Sequence, residues 1–180
     1  MGLNFADETV IQHGYVVLDL EASLAFWMET MRAGPFYVVD NAIEGLTYRG
    51  QPTSVRWTTA LTYRGNMLIE IIRQNDDSPS IYREQLESRG PGFHHFMLKS
   101  PNFDATLARF ERGGCPAAFG RVAPGEERFM YVDAVKSLGC FVELYDMAPG
   151  TLDLFRRIRA AHENWDGKDP VRSFSTLYSG

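Results

Sequence analysis

Two glutamates stand where a carboxylate is costly. Glu70 lies in NMLIEII (66–72) and Glu143 in GCFVELY (139–145), each inside an apolar run. A carboxylate in such a place needs a hydrogen-bonding partner, water or a cation. Gln12 in VIQHGYVVL (10–18) and His95 in GFHHFML (92–98) interrupt apolar runs in the same way. One imidazole, two carboxylates and one amide oxygen form an oxygen-rich donor set. It suits a divalent cation, whose charge the two carboxylates neutralise, and leaves positions for water or substrate. Singly, each residue also reads as a satisfied core histidine or a water-facing edge glutamate. Their placement is what joins them.

That placement comes from a repeat. DLEASLAFW (19–27) lies over NFDATLARF (102–110) without a gap, at an offset of 83 residues. Carried back into the preceding strand, the offset pairs Gln12 with His95, Ile11 with His94, and His13 with Phe96. NMLIEII lies over GCFVELY at an offset of 73, which pairs Glu70 with Glu143. Neighbours on a strand point to opposite faces. His94 and His95 are therefore expected on opposite sides of the sheet. Gln12, Gly14 and Val16 share the site face, and so do Phe93, His95 and Met97. Ile11, His13 and His94 are expected to face the helices. Phe141 and Tyr145 share parity with Glu143. Together with Phe93, Met97 and Trp57 they form the expected substrate pocket.

These side chains need a scaffold. Strands are expected at 10–18, 35–41, 66–74, 92–100, 116–122, 128–134 and 140–146, with a hairpin-like TSVRWTTALTYR at 53–64 joined to 66–74 by a tight turn at Arg64-Gly65-Asn66. Asp19 caps a helix with Leu20, Leu24, Trp27, Met28 and Met31 on one face. NFDATLARFERGG (102–114) is its counterpart. IYREQLESRG (81–90) is a short helix or connector, and residues 79–83 could form a pocket rim. TLDLFRRIRAAHENW (151–165) is an amphipathic helix with Leu152, Phe155 and Ile158 on one stripe. The remaining tail is expected to be an irregular strap. Each half thus reads strand–helix–strand–strand–strand.

Composition narrows the function classes. The 180 residues carry a net charge of −5, with 44% hydrophobic and 23% charged residues. That is ordinary for a soluble globular chain. No basic cluster suggests nucleic-acid binding, and no apolar run approaches the ~20 residues of a membrane helix. MGLNFADETV lacks the pattern of a signal peptide. Cys115 and Cys140 have no metal-type spacing, and a reduced, cytoplasmic setting is expected. Arg56, Arg121 and Arg128 read first as solvated strand edges, with a substrate carboxylate as the alternative partner.

The motifs QHGYVVLDL (12–20), IEII (69–72), GFHHFML (92–98) and FVELY (141–145) resemble the vicinal oxygen chelate superfamily, the glyoxalase/bleomycin-resistance/extradiol-dioxygenase fold. The likeness spans most of residues 10–146, and Gln12 stands where the family's opening motif has histidine. It implies an α+β fold of two tandem βαβββ modules forming a cupped mixed sheet, plus a C-terminal helix and tail. In a single domain, module one would be 8–74, the connector 75–91, module two 92–147 and the extension 148–180. The extension is similar to that of a glyoxalase-like bacterial branch. The resemblance implies metal ligands Gln12, Glu70, His95 and Glu143, for magnesium, manganese, cobalt, nickel, zinc or iron. It implies a metal-dependent isomerase, epimerase or lyase that acts on a small apolar or acyl carbonyl compound by stabilising an enolate or oxyanion. Glu70 or Glu143 would be the catalytic base, and the chain would form a homodimer. Two alternatives stay open. One is a non-catalytic apolar-ligand-binding protein of the bleomycin-resistance type. The other is an extradiol-type dioxygenase, which fits less well because its iron site takes two histidines and one carboxylate.

Overall fold

The computed structural model describes residues 8–122, 128–146 and 148–178. The part of MGLNFADETV before residue 8, read above for a leader, lies outside the described residues. Module one contains β1 (Thr9–Val16), α1 (Leu20–Glu29), β2 (Phe36–Ala42), β3 (Leu46–Tyr48), β4 (Gln51–Thr53), β5 (Arg56–Arg64) and β6 (Met67–Gln74). The connector carries α2 (Ile81–Ser88). Module two contains β7 (Gly92–Lys99), α3 (Phe103–Arg112), β8 (Ala117–Arg121), β9 (Phe129–Asp133), α4 (Val135–Leu138) and β10 (Phe141–Tyr145). The extension forms α5 (Pro149–Glu163), β11 (Val171–Ser173) and a 3-10 turn, Phe174–Tyr178.

All strands join one mixed sheet in the order β11-β2-β5-β6-β1-β7-β10-β9-β8-β3-β4. Within each module the first strand pairs parallel with the last, β1 with β6 and β7 with β10. The modules meet where β1 runs antiparallel to β7. The sheet is curled into a cup. β5 and β8 are six steps apart, about 29 Å in a flat sheet at the usual strand spacing. Yet the rings of Trp57 on β5 and Phe119 on β8 lie 6.2 Å apart.

The two crossover helices start alike. Asp19 accepts a hydrogen bond from the Ala22 amide at 3.0 Å, and Asn102 accepts one from Ala105 at 3.0 Å. Each satisfies an amide the helix itself cannot. α1 packs Leu20, Leu24, Trp27 and Met28 over Ile69 and Ile71 on the outer face; Met31 is exposed. α3 packs Phe103 and Leu107 over Val132, Val142 and Leu144. The inner face holds the site.

Several elements differ from the sequence reading. Residues 56–64 form one strand, β5, which returns antiparallel as β6 through the expected tight turn at Gly65, and a further hairpin, β3–β4, is not among the expected elements. That hairpin leaves module one and pairs with β8, extending the edge of module two. The tail is not an irregular strap, because β11 pairs parallel with β2 and covers the opposite edge. Both outer strands of the paired modules thereby gain a partner, and open edges invite unwanted pairing. The buried stripe of α5 runs through Leu154, Phe155, Ile158 and Ala161, packed on Tyr37, Leu61, Tyr63 and Leu68; Leu152 is not among them. No helix among the described residues is long and apolar enough to cross a membrane.

Candidate metal centre and active site

The four polar interruptions meet at the floor of the cup. His95 Nε2 lies 3.2 Å from Glu70 Oε2 and 3.3 Å from Glu143 Oε2. Gln12 Nε2 donates to Glu70 Oε2 at 2.8 Å and to Glu143 Oε2 at 3.3 Å, and lies 3.3 Å from His95 Nε2. Donor atoms of Glu70, His95 and Glu143 fall within 4.8 Å of one another. Gln12, His95 and Glu143 are buried, and Glu70 is half-buried. The strands explain the convergence. β6 and β10 flank the β1–β7 pair, so the last strand of each module lies beside its own first strand.

Gly14 makes room for the imidazole. It is the cross-strand partner of His95, and a β-carbon there would fall inside the His95 ring. The ring also stands edge-on to Tyr131, 4.9 Å between centroids. Burial by itself would lower the His95 pKa, but hydrogen bonds and charge from Glu143 and Glu70 outweigh it and push it up to about 9. Burial also raises the Glu143 carboxyl, against the pull of His95. The cluster therefore attracts positive charge. A divalent ion fits the donor set, whose two carboxylates balance its charge. A half-turn of the Gln12 amide exchanges Nε2 for Oε1 and supplies a fourth donor.

A β-bulge reshapes one end of β7. Gly14 pairs with His95 and Tyr15 with Phe93, so His94 is the extra residue. His94 is thus not on the helix side. It lies under the cup, 5.0 Å from the stacked ring of Phe141 and near Tyr82 and Tyr131. Phe93 is also displaced. It packs against His13 and Tyr15 on the outer face, 5.6 Å from each ring, and is 40% exposed. It cannot line the substrate pocket. A bulge re-aims side chains in this manner. His13 faces the helix side, away from the four-residue cluster.

Above the cluster is a cavity of about 320 Å³. Gln12, Trp57, Glu70, Met97, Glu143 and Tyr145 line it, as expected of pocket or ligand residues; Phe141 lies beneath, packed on His94. Tyr82, within the stretch 79–83 read as a pocket rim, lines the cavity too; sequence reasoning missed Asn41, Thr59, Phe129 and Tyr131, and the roof contributed by Thr151, Leu154, Phe155, Phe174 and Tyr178. Tyr131 could have been found from RFMYVDA, since it is the cross-strand partner of Glu143 and shares its face. Tyr82 and Tyr131 are held protonated, their pKa values pushed well up by burial and then by the nearby glutamates. Of the three arginines, Arg56 pairs with Asp76, and Arg128 with Asp104 and Asp146. Arg121 lines the cavity.

The architecture has close parallels among solved structures. Methylmalonyl-CoA epimerase from Mycobacterium tuberculosis superposes with a TM-score of 0.58 at 18% identity, covering 84% of this chain and 96% of that one. A hypothetical protein from Bacillus halodurans gives 0.59 at 14%, covering 78% and 95%. A Streptomyces coelicolor methylmalonyl-CoA epimerase variant in complex with 2-nitronate-propionyl-CoA gives 0.51 at 19%, covering 75% and 94%. At these identities the likeness is one of fold. No curated protein matches the chain. The sequence profile described as Glyoxalase/Bleomycin resistance protein/Dioxygenase superfamily matches residues 11–132. With its paired modules and cupped sheet, the chain belongs to the glyoxalase/bleomycin resistance/dioxygenase superfamily.

Proposed function

We propose that the protein is a metal-dependent isomerase of the epimerase type, moving a proton at a carbon beside the carbonyl of a small acyl compound. The observation that carries this reading is the meeting of Gln12, Glu70, His95 and Glu143 at the floor of a mostly apolar cavity. These four residues would hold the ion. When bound, a divalent ion polarises a substrate carbonyl and acidifies the neighbouring C–H. Among the described residues, Glu70 and Glu143 are the only carboxylates that line the cavity. Removal and return of the proton therefore fall to them, the glutamate that acts as base leaving the ion to do so. Tyr131 and Tyr82 keep their protons and can donate a hydrogen bond to a substrate oxygen. Trp57, Phe129, Tyr145 and the roof side chains Leu154 and Phe155 favour an apolar acyl or aromatic body and limit its size. Two of the solved neighbours are named as methylmalonyl-CoA epimerases, which supports the reaction class.

The test is solvent-deuterium incorporation. The purified protein, loaded in turn with manganese, cobalt and zinc, is incubated in D₂O with a panel of 2-substituted acyl thioesters and 2-hydroxyketones. Exchange at the carbon beside the carbonyl, lost in Glu70→Gln or Glu143→Gln, supports the proposal. Binding of panel compounds without exchange under any of these metals would favour the apolar-ligand-binding alternative.

A further inference from the structure

On a regular strand, adjacent residues cannot bring two rings together on one face. The bulge at His94 removes that restriction. His94 Nδ1 lies 2.9 Å from His95 Nδ1. The His94 ring is fully buried and stacked on Phe141 at an interplanar angle of 27°. Its other nitrogen, Nε2, has no side-chain partner among the described residues, and the ring's backbone interaction is with Ile81, which favours a proton on the ring. Two ring nitrogens at this distance share one proton, so one ring donates and the other accepts. The far nitrogen of His95, Nε2, is the atom that faces Glu70 and Glu143. A histidine that ligates through Nε2 must present a bare lone pair there, so its proton sits on Nδ1.

We propose that His94 is a positioning residue for the metal centre: its Nδ1 accepts the Nδ1–H of His95 and fixes the tautomer whose Nε2 is free to ligate. The proposal rests on the metal site proposed above. His94 then carries its own proton on Nε2, the nitrogen turned away from His95, and the interaction with the Ile81 backbone favours a proton on the His94 ring. Ligating histidines commonly donate their second N–H to a carboxylate or a backbone carbonyl. A carboxylate in this place would add a third negative charge beside Glu70 and Glu143. A neutral imidazole orients His95 without changing the charge balance of the site. Tyr82, Tyr131 and Phe141 enclose the ring and hold it in this pose.

Zinc titration of the metal-free full-length chain, in competition with a chromophoric chelator, tests this. His94→Phe keeps an aromatic ring for the Phe141 stack but offers no acceptor. His94→Asn places an acceptor oxygen near the position of Nδ1. The proposal expects His94→Phe to weaken zinc binding by about 10–100-fold and His94→Asn to recover most of it. Nitrogen-15 NMR of the unmutated chain reads the tautomer directly, with or without soluble variants. His94 is expected as the Nε2–H form in both metal-free protein at pH 7 and zinc-loaded protein. Equal zinc affinity in His94→Phe, or an Nδ1–H proton on His94, overturns the proposal. If the unmutated chain binds no zinc or other divalent ion, it is the proposed function that fails, and the metal-free spectrum still decides for His94.

Discussion

Ile11 and His94 occupy the same position of the repeat, 83 residues apart, and each is the extra residue of a β-bulge. Val10 pairs with Leu98 and Gln12 with Met97, which leaves Ile11 over; Gly14 pairs with His95 and Tyr15 with Phe93, which leaves His94 over. The two bulges flank the Gln12 and His95 side chains at the centre of the sheet. A bulge bends and twists its strand, so the pair helps to curl the sheet where the modules meet. One bulge carries an apolar residue. The other brings a second imidazole against His95, at the proposed metal centre.

Gly14 is the narrowest point of the site. A β-carbon at this position overlaps the His95 ring, and the backbone under both residues is locked in the central pair of strands. Gly14→Ala is expected to drive the imidazole out of place, weakening metal binding by more than tenfold. Overpacking of this kind costs about 1–3 kcal/mol of stability. Metal titration and urea unfolding check the two effects separately.

Metal uptake should compete with a proton. The His95 pKa is raised to about 9 in the metal-free cluster because two glutamates favour the charged ring over the cost of burial. At pH 7 the ring is therefore mainly protonated on both nitrogens, and Nε2 must lose its proton to bind a cation. Metal affinity is expected to rise with pH, by about tenfold per unit below 9, with roughly one proton released per ion. Calorimetric titration in buffers of different ionisation enthalpy measures the release. A pH-independent affinity between 6 and 8 would contradict it.

The roof belongs to the body of the fold. Ile158 of α5 is fully buried among Tyr37, Tyr63 and Leu68 of module one. Ile158→Ala is expected to cost about 2–5 kcal/mol in equilibrium unfolding, the range for a truncated core residue. Phe155→Ala, which enlarges the cavity, is expected to leave metal affinity intact. It should relax selection among substrates by size, measured as relative kcat/KM across acyl chains of increasing length.

Much of this was legible in the chain itself. The repeat placed Gln12 with His95 and Glu70 with Glu143, and the crossover helices begin with matching caps at Asp19 and Asn102. The reason is physical: alternation and capping are local signals, and a carboxylate in an apolar strand stands out. The two bulges were not legible. A bulge is one residue more than the partner strand, and nothing in GFHHFML marks which residue is surplus. That single unit of register misplaced both Phe93 and His94. β3, β4 and β11 were missed for a related reason. Each is a short strand whose pairing depends on an edge far away in sequence, β8 or β2. The roof could be read as an amphipathic helix, but its docking place depends on Leu61, Tyr63 and Leu68, which local periodicity does not connect to it.

Metal content tests the account most directly. The full-length protein, purified after supplementation with divalent metals and then dialysed, is analysed by plasma mass spectrometry beside Glu70→Ala and His95→Ala variants shown to be folded by circular dichroism. The account predicts roughly one divalent ion per chain in the unmutated protein and little in either variant. A folded, unmutated chain that binds no divalent ion, or variants that bind it as well, would contradict the central claim.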